Sequence, residues 1–231
     1  MIITRTPFRM SFVGGGSDLP SFAREHGGAV VSASINKYVY IAINKKFDPG
    51  IRVSYSETEL VEFASQIKHA IVRESLGHLG IEDGVEITSI ADIPSKGTGL
   101  GSSSAFTVGL IQCLSAFQGK FISAENLGET AFHVEHDLCG KTLGRQDQYA
   151  SALGGINFLK FNPDGSVGIS PVIMSVDEIK HLNRHLIMFY TGKNRVAEEI
   201  LERQNLDLRD DPRKIAGMKK MVALAYELNH E

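Results

Sequence analysis

A glycine- and serine-rich loop between Pro94 and Ser104 is the part of the sequence best suited to bind a phosphate group. Its three glycines alternate with other residues, and its last three residues are serines that stand directly before a long apolar stretch. Glycine lets the backbone approach a ligand and adopt positive φ, and the first N–H groups of a helix favour an anion. The pattern favours a phosphate-binding loop, although a serine-capped turn between a strand and a helix uses the same residue types.

The spacing of this loop differs from that of the two commonest nucleotide-binding motifs. A Walker A motif ends in Gly-Lys-Ser/Thr, whereas Lys96 precedes the glycines here. The dinucleotide motif G-x-G-x-x-G would need its third glycine one residue after Gly101. The loop therefore predicts a nucleotide site of another kind, and it disfavours an NAD-dependent oxidoreductase.

Glu135 and Asp147 are carboxylates that could act beside such a loop. Glu135 falls in a helix predicted from about Ser123 to Leu138, about 80° around from the first residue of its apolar stripe. A side chain at that margin can point into a cleft. For a lone glutamate, however, a solvated position is the commoner outcome, and a lone aspartate is more often a surface or capping residue.

His133, His136 and Cys139 follow one another at a spacing of three in the same predicted helix, which raises the question of zinc. The first two could share an ion, because three residues correspond to about 60° on an ideal helix. A further step brings the cysteine too far round, and no fourth ligand is visible in the sequence. The pattern therefore disfavours a zinc site.

The phosphate loop needs a strand that enters it and a helix that leaves it. Val85 to Ile90 reads as an apolar strand, and the helix predicted from about Ser103 to Phe117 is apolar on nearly all sides. A helix without a polar face is expected to be buried. Its burial would hold the loop in place.

The rest of the chain mixes short strands and helices, which predicts an α+β fold with an antiparallel or mixed sheet. Further strands are predicted at 2–5, 10–13, 29–34, 38–44, 51–55, 156–161, 167–174 and 186–190, and further helices at 64–76, from 175, after 190 and at 212–228. A turn signal at 162–165 precedes a change of pattern, so a domain boundary is expected near 165–175. The last helix has an apolar face, which either packs back on the second domain or requires a further partner.

The composition is that of a soluble globular protein, since 42% of the 231 residues are hydrophobic and 22% are charged. The formal net charge of -3 gives no electrostatic reason to expect a nucleic acid or an anionic membrane as partner. The two cysteines, Cys113 and Cys139, favour free thiols in a reducing compartment. The sequence shows no apolar run of membrane-spanning length and no signal-peptide core, so a cytoplasmic protein is expected.

Four stretches, taken together and in order, resemble the GHMP kinase superfamily, which includes galactokinase, homoserine kinase, mevalonate kinase and phosphomevalonate kinase. Pro94 to Ala105 resembles the central phosphate loop of that family, and Thr6 to Asp18 resembles its N-terminal motif. Glu135 lies where the family keeps a metal-binding glutamate. Gly144 to Gln148 resembles the segment that carries its catalytic aspartate.

The resemblance implies a two-domain GHMP kinase fold. Residues 1–170 would form the nucleotide- and substrate-binding N-terminal domain, which is like domain 2 of ribosomal protein S5. Residues 171–231 would form part of a ferredoxin-like C-terminal domain. The family has a third glycine-rich motif near its C-terminus, in a region that this chain does not contain.

The resemblance also implies an ATP-dependent phosphotransferase that uses Mg²⁺. It assigns Asp147 as the general base, because an ionised aspartate can accept the proton of a hydroxyl, and Arg9 as the residue that stabilises charge and steers the acceptor. It assigns Mg²⁺ to Ser103 and Glu135, since this ion takes hard oxygen ligands and keeps several waters. The residues implied for the nucleotide are Lys96, Gly97, Thr98, Gly99, Leu100, Gly101, Ser102, Ser103 and Ser104. The residues implied for the acceptor are Gly15, Gly16, Ser17, Asp18 and Arg195.

Within the superfamily, the pattern R-x-S-F-x-G-G-G-S-D-L-P and the later Tyr190-Thr191-Gly192 with Arg195 resemble the D-glycero-D-manno-heptose 7-phosphate kinases. These enzymes phosphorylate the anomeric hydroxyl of a heptose 7-phosphate. The expected partner is therefore a small sugar phosphate, with no nucleic acid and no membrane, and a homodimer is one assembly that the sequence leaves open. Two alternatives stay open: a non-catalytic relative that binds a nucleotide or sugar phosphate, and a kinase for another sugar or small alcohol.

Overall fold

The computed structural model describes residues 1–94, 98–189, 201, 203, 206, 208 and 211–230. Its strands are β1 Ile2–Val13, β2 Gly28–Lys45, β3 Ile51–Ser54, β4 Thr58–Val61, β5 Val85–Ala91, β6 Ile156–Phe161 and β7 Val167–Pro171. They form one sheet in the order β4-β3-β5-β2-β6-β7, with β1 also paired to β2. Neighbouring strands are antiparallel except β3 and β5, which run parallel. The predicted α+β fold with a mixed sheet is confirmed.

The helices lie between these strands and after them. They are α1 Pro20–His26, α2 Ala70–Leu79, α3 Ser102–Phe117, α4 Ala124–His133, α5 Gln146–Leu153, α6 Val176–Arg184 and α7 Pro212–His230. A single 3₁₀ turn spans Ala64–Gln66, and a π-helical turn, Val134–Leu138, follows α4 directly. Within the described part of the chain, no helix combines the length and the apolarity needed to cross a membrane.

β2 is 18 residues long and replaces two strands that the sequence predicts separately. Its first part pairs with β6 and its later part with β5, while β1 runs along its other side. β1 likewise continues through Pro7, with a shift of register between Pro7 and Arg9. Proline is tolerated there because β1 has a hydrogen-bonded neighbour on one side only. The predicted interruptions are therefore irregularities inside two long strands.

Two other predictions differ from the structure. The helix predicted at 64–76 is a 3₁₀ turn followed by α2, because Ile67 adopts an extended conformation between them. The strand predicted at 186–190 is wrong for residues 186–189, which are irregular and exposed, since no described strand lies beside them. Tyr190 lies outside the described residues, as does most of the helix predicted after it.

α3 is buried, as its apolar sequence predicts. Ala105, Leu110, Ile111 and Leu114 are fully buried in one core with the inward face of the sheet. The backbone of the helix also approaches β1 closely, since a Cβ on Gly109 would lie 2.7 Å from Oγ1 of Thr6. This packing fixes the start of α3 relative to β1.

α7 packs back onto the same sheet, which settles the position of the last predicted helix. Its Met218 packs with Leu19 and Phe22, and its Ala225 packs with Val31 and Phe158. The helix therefore covers residues that belong to the predicted N-terminal domain. The division of the chain at residue 170 stays a prediction.

We expect Ala225→Asp to destabilise the protein by about 2–4 kcal/mol, because a carboxylate without a partner would enter a fully buried position. Thermal unfolding followed by circular dichroism measures this loss. Ala223→Asp, on the exposed side of the same helix, is the matched control and should change stability by less than about 0.5 kcal/mol. Equal losses in the two variants would show that α7 does not pack against the sheet in this way.

Candidate active site

Arg9 on β1 connects three segments of the chain. Its Nε and Nη2 contact Oδ1 of Asp147 at 2.7 and 2.6 Å, and its Nη1 donates to the carbonyl oxygen of Gly99 at 2.8 Å. Its backbone N–H also donates to the carbonyl oxygen of Leu100 at 3.2 Å. The side chains of Arg9 and Asp147 are 12% and 24% exposed. The structure thus brings the two residues predicted to be catalytic together, beside the glycine loop.

Gly101 allows the loop to lie against this ion pair. It has φ +72°, which favours glycine, and a Cβ there would lie 3.2 Å from Oδ2 of Asp147 and 3.3 Å from Cγ of Arg9. It also stands directly before the first residue of α3. One glycine therefore permits both the turn into the helix and the close contact with the ion pair.

The described part of the predicted phosphate loop runs from Thr98 to Ser104, because Lys96 and Gly97 lie outside the described residues. The hydroxyl oxygens of Thr98 and Ser102 are 3.1 Å apart. Leu100 is partly buried and packs against the hydrophobic core. Since the first N–H groups of a helix lack helical acceptors, the start of α3 can bind an anion.

Ser103 and Glu135, the two predicted metal ligands, are in direct contact. The hydroxyl of Ser103 donates to Oε1 of Glu135. The ammonium of Lys141 lies 2.9 Å from the Ser103 hydroxyl and 3.7 Å from the same carboxylate oxygen. These groups supply hard oxygen atoms of the kind that Mg²⁺ prefers, and a cationic group already lies among them.

Gln148 holds the other oxygen of the same carboxylate. Its Nε2 donates to Oε2 of Glu135 at 2.8 Å and to the hydroxyl of Ser104 at 3.0 Å. Glu135 and Gln148 are both fully buried. A buried carboxylate needs such donors, because a charge without partners is costly in the protein interior.

Glu135 is the second residue of the π-helical turn Val134–Leu138. The N–H of Cys139 donates to the carbonyl oxygen of Val134 at 2.9 Å, so this turn holds more residues than an α-helical turn. The solvated position that is commoner for a lone glutamate is wrong for Glu135, because the residue is fully buried.

Asp18 lies against the first residue of α5, Gln146, and is held by the amide groups of that residue. Its Oδ2 accepts a hydrogen bond from the backbone N–H of Gln146 at 2.9 Å, and its Oδ1 accepts one from the Gln146 side chain at 3.1 Å. Ser11 donates to Oε1 of the same glutamine at 3.0 Å. Gly144 makes room for this contact, since a Cβ there would lie 2.0 Å from Oδ2 of Asp18.

The environment of Asp18 favours its neutral form. The carboxyl group is 4% exposed, and burial, together with the neighbouring Asp147, raises its pKa to about 6 against the lowering effect of Gln146 and Arg9. Near neutral pH it can therefore change protonation state when a ligand excludes water. Groups of this kind occur at functional sites more often than elsewhere.

The glycine turn after β1, formed by Gly14, Gly15 and Gly16, leads through Ser17 to Asp18. Gly14 has φ +89°, and a Cβ there would collide with the carbonyl oxygen of Ala29. The hydroxyl of Ser17 is buried and bonded to the carbonyl oxygens of Gly14 and Ala29. Of the residues predicted to bind the acceptor here, Ser17 is thus occupied within the turn, Gly16 is buried and Gly15 is half-buried.

A cavity of about 160 Å³ opens beside Asp18. Arg24 of α1, Arg145 and the turn at 162–165 contribute to its lining. Arg145 contacts Glu129 through two hydrogen bonds of 3.1 and 3.0 Å, whereas Arg24 is exposed. The carboxyl groups of Asp18 and Asp164 line the same cavity, so an anionic ligand there would depend on Arg24 and not on an excess of positive charge. Arg195, predicted to meet such a group, lies outside the described residues.

The predicted zinc candidates are bonded to other groups. Nδ1 of His133 lies 2.7 Å from Oδ2 of Asp137, and Nδ1 of His136 lies 2.9 Å from the carbonyl oxygen of Lys141. Across the described residues, no three His, Cys, Asp or Glu side chains are grouped so that they could hold a metal ion.

Three residues that contact predicted site residues were missed from the sequence. Gln146 and Gln148 stand directly before and after Asp147, and this neighbourhood was the signal in the sequence that could have indicated them as site residues. Lys141 follows a glycine after the π-helical turn, and nothing in its sequence context indicates a partner. Its contact with Glu135 arises only from the fold.

Comparison with protein families finds a match to the model of the GHMP kinases N terminal domain over residues 69–155. A D-glycero-alpha-D-manno-heptose 7-phosphate kinase of Campylobacter jejuni is 28% identical over 91% of this chain. A mevalonate kinase of Thermococcus gammatolerans is 31% identical over 88% of it. The chain spans only 65% and 64% of the lengths of these two relatives.

Solved structures show the same fold. The crystal structure of a D-glycero-D-manno-heptose 1-phosphate kinase from Bacteriodes thetaiotaomicron superposes with a TM-score of 0.70, at 21% identity, over 94% of this chain and 76% of that one. At this level of identity the likeness concerns the fold alone.

We expect Asp18→Asn to raise stability at pH 7 by up to about 3 kcal/mol, because the wild-type folded state must ionise a buried carboxyl that the unfolded state ionises more easily. The folded-state pKa lies at about 6 against a usual 3.8. Wild-type stability should therefore fall as the pH rises from 4 to 6, and the difference between the proteins should vanish at pH 4 and below.

Urea unfolding at a series of pH values measures this effect. The exposed Asp83→Asn is the control and should follow the wild-type curve. Parallel curves for wild type and Asp18→Asn between pH 4 and 7 would contradict the raised pKa.

Proposed function

We propose that this chain, which carries a GHMP kinase N-terminal domain, is the part of an ATP-dependent kinase that binds nucleotide and acceptor and transfers the γ-phosphoryl group to a hydroxyl. The observation that carries the proposal is the position of Asp147. It lies against Arg9 and Gly101 at the start of α3, where Ser103 also contacts Glu135 of the π-helical turn. Phosphoryl transfer depends mainly on positioning and charge, and this arrangement provides both.

The start of α3 would hold the nucleotide phosphates through its backbone N–H groups, helped by the helix dipole. Ser103 and Glu135 would hold Mg²⁺, since their oxygen atoms already lie in contact. Mg²⁺, when bound, would neutralise charge that develops on the phosphates. Two protein oxygens are enough, because this ion keeps waters and takes phosphate oxygens as its other ligands.

Asp147 would accept the proton of the attacking hydroxyl. Arg9 contacts Oδ1 through two nitrogen atoms and so restrains the position of that oxygen. Oδ2 is the atom that faces Gly101, where a side chain would fill the space. We therefore assign the proton transfer to Oδ2, with Arg9 restraining the base and adding positive charge beside the transferred group.

The acceptor would be a sugar phosphate, and we specify a heptose 7-phosphate phosphorylated on its anomeric hydroxyl. Asp18 could accept hydrogen bonds from sugar hydroxyls, and the cavity with Arg24 and Arg145 could accept a distal phosphate. The similarity to the heptose 7-phosphate kinase of Campylobacter jejuni supports this choice. A cytoplasmic site of action is part of the proposal, because Cys113 and Cys139 are both free thiols.

We expect Asp147→Asn to lower kcat by about 10²–10⁴, the usual contribution of a general base. Affinity for ATP, measured by calorimetry, should stay within about twofold of wild type. The release of ADP is measured with a coupled enzyme assay over a panel of sugar phosphates. This chain is tested beside a form of it that is extended at the C-terminus.

Asp83→Asn, an exposed aspartate remote from α5, is the control and should keep full activity. Unchanged turnover in Asp147→Asn would remove this residue as the base. If the wild-type chain and its extended form bind ligand without releasing product, the non-catalytic alternative replaces the kinase proposal.

Arg24→Ala should raise KM for a sugar phosphate by about tenfold, since it removes one charge-assisted contact to the distal phosphate. The KM for the same sugar without its phosphate should not change. Arg184→Ala, at the exposed end of α6, is the control. An equal effect on both sugars would exclude this cavity as the phosphate subsite.

A further inference from the structure

The ammonium group of Lys141 lies where the proposed metal ion would bind. It is 2.9 Å from the hydroxyl oxygen of Ser103 and 3.7 Å from Oε1 of Glu135. A cation held by these two oxygens would lie next to the ammonium, and the two would repel each other because both are positive.

The backbone of Lys141 is anchored, whereas its side chain can leave. Its N–H donates to the carbonyl oxygen of Glu135 at 3.1 Å, and its own carbonyl oxygen lies 2.9 Å from Nδ1 of His136. The side chain is 28% exposed and has a flexible four-carbon stem. The ammonium can thus move towards solvent without a shift of the backbone.

The charge of Glu135 attracts the ammonium and holds it in place until another cation replaces it. The carboxylate is fully buried, and among the described residues Lys141 supplies the one ion pair that it makes. Ser103 and Gln148 contribute only neutral donors. A buried carboxylate without a positive partner destabilises the fold.

We propose that Lys141 and a divalent cation are alternative occupants of the site formed by Ser103 and Glu135. Lys141 neutralises Glu135 when no metal is bound, and it must withdraw when the metal–nucleotide complex binds. The lysine thereby weakens the binding of a free cation and favours a cation that arrives with phosphate oxygens as additional ligands. This inference rests on the proposed function, because it takes the metal site as its premise.

Binding of Mn²⁺, followed by electron paramagnetic resonance in the absence of nucleotide, tests the inference. Mn²⁺ suits the same oxygen ligands. We expect Lys141→Met to bind Mn²⁺ on the order of tenfold more tightly than wild type, because no ammonium has to be displaced. Lys120→Met removes an exposed lysine after α3 and should leave the affinity unchanged.

Thermal unfolding separates competition from a purely structural role of the ion pair. Lys141→Met should melt below wild type in a chelating buffer, and the deficit should close when Mn²⁺ is added. A merely structural lysine would give the same deficit with and without the ion. Lys141→Gln, which keeps a donor towards Ser103, is measured in parallel so that poor folding of one variant does not conceal the affinity.

Glu135→Gln distinguishes the two proposals. If wild type binds Mn²⁺ and Glu135→Gln does not, the proposed metal site stands. In that case, an unchanged or weaker Mn²⁺ affinity in both Lys141 variants overturns the inference about Lys141 and leaves the metal site in place. If no protein of the series binds Mn²⁺ in a manner that depends on Glu135, with or without ADP, the proposed metal site fails and the inference fails with it.

Discussion

The hydrogen bonds made by three consecutive side chains at the start of α5 hold the site together. Gln146 binds Asp18, Asp147 binds Arg9, and Gln148 binds Glu135. Successive residues of an α-helix point about 100° apart, so neighbours cannot serve the same partner. The first turn of α5 therefore connects the glycine turn after β1, the glycine loop and the π-helical turn, three segments that are distant in sequence.

The contact between Arg9 and Asp147 matters more for position than for stability. An ion pair that is partly exposed contributes little net stability, and this applies to Arg9 and Asp147. The close approach depends instead on missing side chains, since a Cβ at Gly101 would crowd the pair and one at Gly144 would overlap Asp18. The burial of α3 against β1 then keeps the glycine loop beside Arg9, so the hydrophobic core determines where the polar groups meet.

Much of this arrangement can be predicted from local sequence, and the remainder cannot for a physical reason. The apolar run of α3 and the glycines before it indicate a buried helix whose first N–H groups are available to a ligand. The structure confirms the burial of this helix. A helical wheel places Glu135 only at the margin of the apolar stripe, and its burial depends on tertiary contacts with Ser103 and Gln148. The contact of Lys141 with Glu135 depends on tertiary packing and on a flexible side chain, for which single-sequence periodicity carries no signal.

The three carboxylates of the site differ in how their charge is compensated, and this difference separates their roles. Asp18 is held by neutral amides and has a raised pKa, because burial is only partly offset. Asp147 is held by the rigid fork of an arginine, which stays charged and keeps its geometry throughout a proton transfer. Glu135 is held by a lysine, whose ammonium is a compact charge on a flexible stem. A fixed partner suits a base that must keep its orientation, whereas a removable partner suits a carboxylate that receives a metal ion in one state and needs a substitute charge in the other.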